Sequence, residues 1–231
     1  MTVEFTHLRN QVIPSYLSTD DDDPYALIFV VNDSKNDKGE LPPEDHIIAA
    51  AMHALTDLLL SKDEDIQTRI SAWLAGRIRK IVKRAKNAAW DKTAQTDVPY
   101  SESSFNNAKV RVFAPMQLSQ QPPALKKLQV TGLQATVKHT LAVAEDMLIV
   151  NVDANLDMTT GKLIAQVGHA VQLFIMDADE NKVTAWLAAG QRVAVIPTDT
   201  MPSQDSVDVA VRDAGFTEVP AGSLTATALY R

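Results

Sequence analysis

The chain contains no cysteine among its 231 residues. Disulfide bonds, cysteine metal ligands and thiol nucleophiles are therefore excluded, and the composition fits a reducing compartment. The N-terminus lacks a basic segment followed by an apolar one, and no uninterrupted apolar run approaches the ~20 residues that span a membrane. With 45% apolar residues the chain can still bury a real core. We expect a cytoplasmic protein that does not enter a membrane.

Motifs for metals and nucleotide cofactors are also missing. The five histidines, at positions 7, 46, 53, 139 and 169, include no pair accompanied by an acid at ligand spacing. The glycine-rich loops that cradle phosphates and the G-x-S-x-G turn of many hydrolases are absent. The sequence therefore predicts no metal site and no cofactor.

Positively charged residues are scarce in the second half of the chain. Residues 1–140 contain 17 Lys/Arg and 17 Asp/Glu, whereas residues 141–231 contain 5 and 12, so the second part carries the whole formal charge of −7. A surface that binds a polyanion such as RNA would have to come largely from the first half.

The order of elements predicts an α/β protein with an irregular segment over residues 1–24 and two lobes. The first lobe covers residues 25–140. Its predicted strands are Ala26–Asn32, Lys109–Ala114 and Gln134–His139. Its predicted helices are His46–Leu60, Asp65–Lys92 and the short Pro123–Val130, with a loop over 93–107. The second lobe covers residues 141–231. Its predicted strands are Met147–Val152 and 192–197, its predicted helices are 161–177, 181–189 and 204–214, and a hairpin is predicted over 216–230.

The two lobes look like an internal duplication. Strand ALIFVVND aligns with MLIVNVDA, and the following helices align so that His53 falls on His169. Ala-Trp-Leu-Ala then recurs in both after a three-residue gap, around Trp73 and Trp186. In this alignment Pro123–Gly132 takes the place of the helix ending at Gly215. We therefore expect each lobe to be a small mixed sheet flanked by helices.

Three polar side chains form a narrow seam on the otherwise apolar helix 161–177. Lys162, Gln166 and His169 are four and three residues apart, so they share one helical face. Such a seam indicates a site, but a lysine at the helix start, a glutamine at the rim and a hydrogen-bonded core histidine would give the same pattern.

Two motifs in the second lobe resemble one known family. They are G-K-L-I-A-Q-V-G-H-A (Gly161 to Ala170) and D-A-G-F-T-E-V-P-A-G-S-L-T (Asp213 to Thr225). Residues 147–231 resemble the type 2, archaeal and eukaryotic, peptidyl-tRNA hydrolases. The resemblance implies a small α/β domain that hydrolyses the ester between a peptide and the 3′ end of tRNA, without a cofactor. Its members are commonly homodimers, so a degenerate first lobe could act as the missing subunit in a pseudo-dimer, with homo-oligomers still possible.

The same resemblance implies the site residues. It places Asp213 and Lys162 at the centre, and Thr217, Thr225, Gln166 and His169 around them. Asp213 would accept a proton from water or orient it, while Gly161 and the helix start would face the carbonyl oxygen. For His169, a lone histidine on an apolar helix, a core hydrogen-bonding role is the more common one.

The second lobe departs from the family pattern at Thr160. Family members carry a catalytic lysine before Gly-Lys, where this chain has Thr160, which we place in the substrate-binding region. A hydroxyl supplies no formal charge to an oxyanion, and losing one such donor can cost ~10²–10³ in rate. The alternatives are therefore a catalytically impaired binding or scaffold protein, or an esterase or amidase for a small substrate.

The first half contains one strongly basic segment, within the predicted helix Asp65–Lys92. No acid lies between Gln67 and Trp90. A basic helix of this kind can contact the tRNA backbone, with Trp90 available to stack on a base; equally, it can be a solvated face paired with the acidic second lobe, which would explain both charge asymmetries. The residues chosen for nucleic-acid binding are Arg77, Arg79, Lys80, Lys83 and Arg84.

Overall fold

The computed structural model describes residues 6–9, 22–136, 141–213 and 218–231, which form two four-stranded sheets flanked by helices. The first part contains α1 (Thr6–Arg9), β1 (Tyr25–Asn32), α2 (Glu44–Leu59), α3 (Glu64–Leu74), β2 (Lys80–Ala85), α4 (Ala88–Thr93), β3 (Tyr100–Phe105), β4 (Ala108–Gln117) and α5 (Pro123–Lys126). The second contains β5 (Leu148–Asp153), α6 (Thr160–Asp177), α7 (Glu180–Ala188), β6 (Val193–Thr198), β7 (Val209–Arg212) and β8 (Leu224–Leu229).

The two sheets have the same topology. Their strand orders are β2-β1-β4-β3 and β6-β5-β8-β7, and in each the first pair is parallel and the other two pairs are antiparallel. The parallel pairs share their register, because Leu27 lies opposite Lys80 just as Leu148 lies opposite Val193. The predicted mixed α/β class with two similar sheets is therefore observed.

A tryptophan occupies the same place in both lobes. The indole N–H of Trp73 donates to the Arg79 carbonyl at 3.0 Å, and that of Trp186 donates to the Arg192 carbonyl at 2.9 Å. Both rings are fully buried. Each indole therefore ties a helix, α3 or α7, to the residue just before the following parallel strand, and the equivalence extends to side-chain hydrogen bonds.

The long helices α2 and α6 pack against each other between the sheets. Each also contacts the edge strand of the other lobe, α2 on β6 and α6 on β2, and one hydrophobic cluster runs through both lobes. Apolar burial is the main driving force for such packing. Gly168 lies where α6 meets the first lobe, and a methyl group there would be 3.4 Å from the Lys80 Cδ and the Phe29 Cζ.

The start of the chain contains a short helix where an irregular segment was predicted. Within α1, His7 hydrogen-bonds the Leu59 carbonyl at 3.1 Å, and Arg9 donates to the Ala178 carbonyl at 2.6 Å. These carbonyls lie at the C-terminal ends of α2 and α6, where helix carbonyls lack partners within the helix. The segment therefore joins the two central helices.

The predicted long helix Asp65–Lys92 is wrong. Helix α3 ends at Leu74, the chain turns around Gly76, and the basic segment continues as strand β2. The apolar residues that suggested a helical stripe divide between α3 and a strand that pairs with β1. Because a buried strand satisfies its backbone through a neighbour distant in sequence, local periodicity underestimates it.

Other predicted elements also differ from the structure. The predicted helix 204–214 is a single 3₁₀ turn, Gln204–Ser206, followed by β7, and the predicted loop 93–107 contains β3. Strand β3, rather than Pro123–Gly132, is therefore the counterpart of β7. The helix predicted over Pro123–Val130 ends at Lys126, and residues 134–136 of the predicted strand Gln134–His139 are not in a strand, its remainder lying outside the described residues.

Candidate active site

Lys162 and Asp213 form a buried ion pair in the second lobe. Lys162 lies in the first turn of α6, and Asp213 directly follows β7, which pairs with β8 beside that helix. The Lys162 Nζ is 2.5 Å from the Asp213 Oδ2, and the side chains are only 9% and 7% exposed. A pair removed from water to this degree interacts more strongly than a surface pair.

A buried amide and hydroxyl fix the Asp213 carboxylate. The Gln166 Nε2 donates to the Asp213 Oδ2 at 2.7 Å, and the Thr225 hydroxyl donates to the Gln166 Oε1 at 2.6 Å. Since an ionised carboxylate can only accept, the amide nitrogen of Gln166, not its oxygen, faces Asp213. The structure thus brings together four residues that the sequence had selected, from α6, the end of β7 and β8.

The start of α6 is held by residues on both sides. Thr159 is the N-cap and accepts from the Lys162 N–H at 3.2 Å, and its own hydroxyl donates to Glu218 at 2.8 Å. Glu218 lies in the second motif but was not selected from the sequence, because nothing local tells a solvated acid from one that holds a helix start. Gly161 follows and lines the cavity described below.

Thr160 faces the first lobe. Its hydroxyl donates to the Glu44 Oε1 at 2.6 Å, and both side chains are buried, Glu44 being 1% exposed. Thr160 does not line the cavity beside Lys162 and Asp213. The position where the resemblance implies a lysine therefore lies at the junction between the two long helices, beside the acid Glu44.

His169 contacts a lysine from the first lobe. Its Nδ1 is 2.9 Å from the Lys80 Nζ, which also donates to the Gln172 Oε1 at 2.5 Å. Burial, followed by the charges of Lys80 and Lys162, lowers the pKa of His169 well below 6.5. Burial also lowers the pKa of Lys80 well below 10.5. The predicted hydrogen-bonding histidine is present, but its partner comes from the other lobe.

A cavity of about 830 Å³ lies between the two lobes. The polar seam of α6 and the end of β7 form one wall, with Lys162, Gln166, His169 and Asp213 on it. The beginning of β2 and the turn before it also line the cavity, with Arg77, Arg79 and Lys80 among the lining residues. This volume is within the usual range for ligand sites, so the cavity can enclose part of a substrate.

The five basic residues predicted to bind nucleic acid do not share a helical face. Arg77, Arg79, Lys80 and Lys83 line the cavity, but the Lys83 ammonium donates to Gln121 and to the Leu125 carbonyl, at 2.8 and 2.9 Å. Arg84 pairs with Asp33 at 2.8 Å. The predicted stacking role of Trp90 is contradicted, since this ring is 7% exposed and the Arg111 guanidinium covers it at 3.9 Å.

Three further predictions concern Thr217, metal ions and membranes. Thr217 lies outside the described residues, so its placement beside Thr225 stays a prediction. Among the residues that the structure describes, no three His, Cys, Asp or Glu side chains cluster as metal ligands would. No helix in the described part of the chain is long and apolar enough to cross a membrane.

Comparison with known proteins identifies the second lobe. The family model Peptidyl-tRNA hydrolase PTH2 matches residues 146–230. A Caenorhabditis elegans protein called probable peptidyl-tRNA hydrolase 2 is 33% identical over 98 residues, covering 36% of this chain and 31% of that relative. The peptidyl-tRNA hydrolase of Methanocaldococcus jannaschii is 30% identical over 97 residues, covering 36% of this chain and 83% of that relative.

No solved structure matches the chain. The archaeal relative is covered over most of its length, whereas the match spans about a third of the nematode one. Both motifs, from Gly161 and from Asp213, lie inside the matched residues. Through its second lobe, this chain belongs to the peptidyl-tRNA hydrolase PTH2 family.

Proposed function

We propose that this protein hydrolyses the ester bond of peptidyl-tRNA in the cavity between its two lobes. The observation that carries the proposal is the buried cluster of Lys162, Gln166, Asp213 and Thr225 on one wall of that cavity. Both motifs of the resemblance supply members of this cluster. Tertiary packing unites residues about fifty positions apart, as a shared catalytic role requires.

The chemistry assigns Asp213 to the attacking water. Asp213 orients the water and accepts its proton, while the water oxygen bonds to the ester carbonyl carbon. The bond from that carbon to the ribose oxygen then breaks, and the ribose oxygen takes up the proton that Asp213 had accepted, which restores the carboxylate. Lys162 is the nearest cation to the carboxylate and stabilises negative charge that develops on the carbonyl oxygen. Gln166 and Thr225 act by holding the carboxylate in place.

The first lobe supplies positive charge to a second lobe that has little. Arg77 and Arg79 line the cavity, and we propose that they face the 3′ end of the tRNA, whereas the Lys80 ammonium is bonded to His169 and Gln172. Lys83 and Arg84 have partners inside the first lobe, so we assign them no RNA contact. The uneven charge along the chain would then have a role, because basic residues of the first lobe would bind the tRNA end while the acidic second lobe carries the reacting residues.

We further infer that the first lobe is a degenerate copy that acts as a built-in second subunit. The shared strand order, the equal register of the parallel pairs and the matching tryptophan bonds support this inference. The contacts of α2 and α6 with each other's sheets are reciprocal, as in a twofold dimer. The chain would then be a pseudo-dimer.

One observation favours a second candidate, a catalytically impaired binding protein. Thr160, at the position of the family's lysine, carries no charge and donates to Glu44 outside the cavity. On this view the cavity still accepts a peptidyl-tRNA end but turns it over slowly.

Release of a labelled peptide from a defined peptidyl-tRNA tests the proposal. We expect turnover by the wild type and a loss of about 10²–10⁴ in kcat for Asp213→Asn, which keeps the shape and one acceptor oxygen but removes the base. Lys162→Met should also lose most of the rate. Asp146→Asn is the control, because Asp146 pairs with Arg192 on the surface and should behave as wild type.

The outcomes separate the two candidates. Turnover that depends on Asp213 supports the hydrolase. Binding of peptidyl-tRNA without turnover supports the impaired protein, and equal turnover by the wild type and Asp213→Asn contradicts the site.

A further inference from the structure

The cavity contains a second polar cluster that crosses from one lobe to the other. Lys80 at the beginning of β2 lies against His169 and Gln172 of α6, at 2.9 and 2.5 Å. The Lys80 ammonium is also 4.9 Å from the centre of the Trp73 ring. The Lys80 Nζ thus contacts an imidazole nitrogen and an amide oxygen and lies near an aromatic face.

This cluster is distinct from the Asp213 cluster but lies beside it. Gln166 and His169 are three residues apart on α6, which corresponds to a rise of about 4.5 Å along the axis. A ligand whose reacting carbonyl lies at Asp213 would therefore place a group one helical turn away beside His169. Both clusters line the same cavity, so one ligand can contact both.

The direction of the hydrogen bonds determines the state of His169. A protonated Lys80 is a donor only, so while this side chain is charged its bond to Nδ1 requires that Nδ1 accept. A neutral imidazole with an accepting Nδ1 has its proton on Nε2. Nε2 is at the other edge of the ring and has no hydrogen-bond partner among the residues that the structure describes.

We propose that Lys80 of the first lobe is a positioning residue, which holds His169 as the neutral Nε2–H tautomer so that it donates to an acceptor oxygen of the ligand. The lowered pKa of His169 agrees with a neutral ring. The inference rests on the proposed function for the identity of the ligand, a peptidyl-tRNA, but the tautomer itself is a property of the free protein.

The arrangement depends on a difference between the lobes. The position equivalent to Lys80 in the register of the second sheet is Val193. The counterpart of His169 in the first lobe is His53, and that of Gln172 is Thr56, whose buried hydroxyl has no hydrogen-bond partner in the described structure. Only one of the two equivalent places thus combines a lysine, a histidine and an amide.

Nitrogen-15 NMR of histidine-labelled full-length protein tests the tautomer directly. We expect His169 to show one protonated Nε2 and one unprotonated Nδ1 at neutral pH. Lys80→Met keeps the length of the side chain but removes the donor, so the spectrum should change to a mixture of tautomers. Lys83→Met is the matched control, since Lys83 is on the same strand but donates to Gln121 and Leu125, and it should leave the His169 signals unchanged.

The kinetic test asks whether the positioned histidine contacts the ligand. For Lys80→Met we expect KM for peptidyl-tRNA to rise about two- to tenfold and kcat to stay unchanged, since only the fraction of His169 rings protonated on Nε2 would still donate to the ligand. Lys80→Arg should recover part of the loss. Lys86→Met removes an exposed cation of the same lobe and should leave KM unchanged.

A minimal ester shows whether the oxygen that accepts from His169 is a peptide carbonyl or a phosphate of the tRNA end. If the KM effect persists with N-acetylaminoacyl-adenosine, which has no phosphodiester, the acceptor is a peptide carbonyl. If it disappears, the acceptor is a phosphate oxygen of the tRNA end.

The outcomes separate this inference from the proposed function. A His169 protonated on Nδ1, or a His169 spectrum that Lys80→Met does not alter, overturns the inference even if the enzyme is active. A loss of kcat without a change in KM overturns the ligand contact. An inactive wild type with the expected tautomer leaves the positioning role supported and refutes only the hydrolase.

Discussion

The two lobes share a backbone plan but differ in the polar residues that it presents. Both have a parallel strand pair in the same register and a tryptophan whose indole donates to the equivalent carbonyl, just before the second strand of that pair. At the loop after the third strand they diverge. In the first lobe β3 joins β4 through the two residues Asn106 and Asn107, whereas in the second lobe Asp213 begins a longer connection to β8.

The starts of the two long helices show the same divergence. Glu44 begins α2 where Thr160 begins α6, and the two side chains bond to each other. Two residues further on, His46 lies near Asn106, and Lys162 pairs with Asp213. The same backbone plan can thus present different polar residues at equivalent positions.

Separating the lobes should have the largest effect. A fragment of residues 141–231 would expose the face of α6 that packs on α2 and β2. Because this face is apolar, we expect the fragment to aggregate, or to dimerise through α6, and to lack a cooperative monomeric unfolding transition. Analytical ultracentrifugation and thermal unfolding would check this. A stable monomer with native-like unfolding would contradict the dependence of the second lobe on the first.

The matched tryptophans test whether the lobes are energetically equivalent. Trp73→Phe and Trp186→Phe each leave a carbonyl without its indole donor in a fully buried place. We expect each to lower the free energy of unfolding by about 2–3 kcal/mol, in urea titrations of the full chain. Values that differ by several kcal/mol between the two variants would show that the lobes share a shape but not a distribution of stability.

Thr160→Lys restores the family's lysine and tests the junction between the helices. The new ammonium would enter a buried place beside Glu44, whose Oε2 has no hydrogen-bond partner in the described structure. We expect it to pair with Glu44 rather than reach the cavity, so kcat should stay within about twofold of the wild type. Adding Glu44→Gln should then lower the unfolding free energy by about 3 kcal/mol more than the same change in the wild type. A tenfold rise in kcat with Thr160→Lys would contradict this placement.

The smallest expected effect is on the pH dependence of stability. Burial lowers the pKa of His169 well below 6.5, so between that lowered value and about pH 6.5 the unfolded chain binds a proton that the folded one does not. Stability from this group is therefore complete above about pH 6.5 and is lost as the pH falls towards the folded pKa. Urea unfolding between pH 7 and 5 should show a shallower decline for His169→Gln.

His53 is the control for that measurement. Burial also lowers its pKa, while Asp57 acts in the opposite direction. His53→Gln should therefore flatten the decline less than His169→Gln. An equal effect of the two variants would show that the contact with Lys80 contributes little to keeping His169 neutral.

Several elements could be predicted because their signals are local. The apolar strands β1 and β5 and the helices α2, α6 and α7 have bounds within about two residues of those predicted. The signal for β7 was present and missed, since Val207, Val209 and Val211 alternate with polar or small residues as in a strand. Strand β3, YSESSF, has no such signal, and only its pairing with β4 makes it a strand.

The sequence by itself determined the family, the polar seam of α6 and the joint selection of Lys162, Gln166, Asp213 and Thr225. Tertiary structure alone decided that Thr160 faces Glu44 and that Lys80 faces His169. Motifs and periodicity describe neighbours along one chain segment, whereas these contacts join residues about ninety or more positions apart. They form because burial of apolar surface packs the two sheets, which come from different parts of the chain, around the helices α2 and α6.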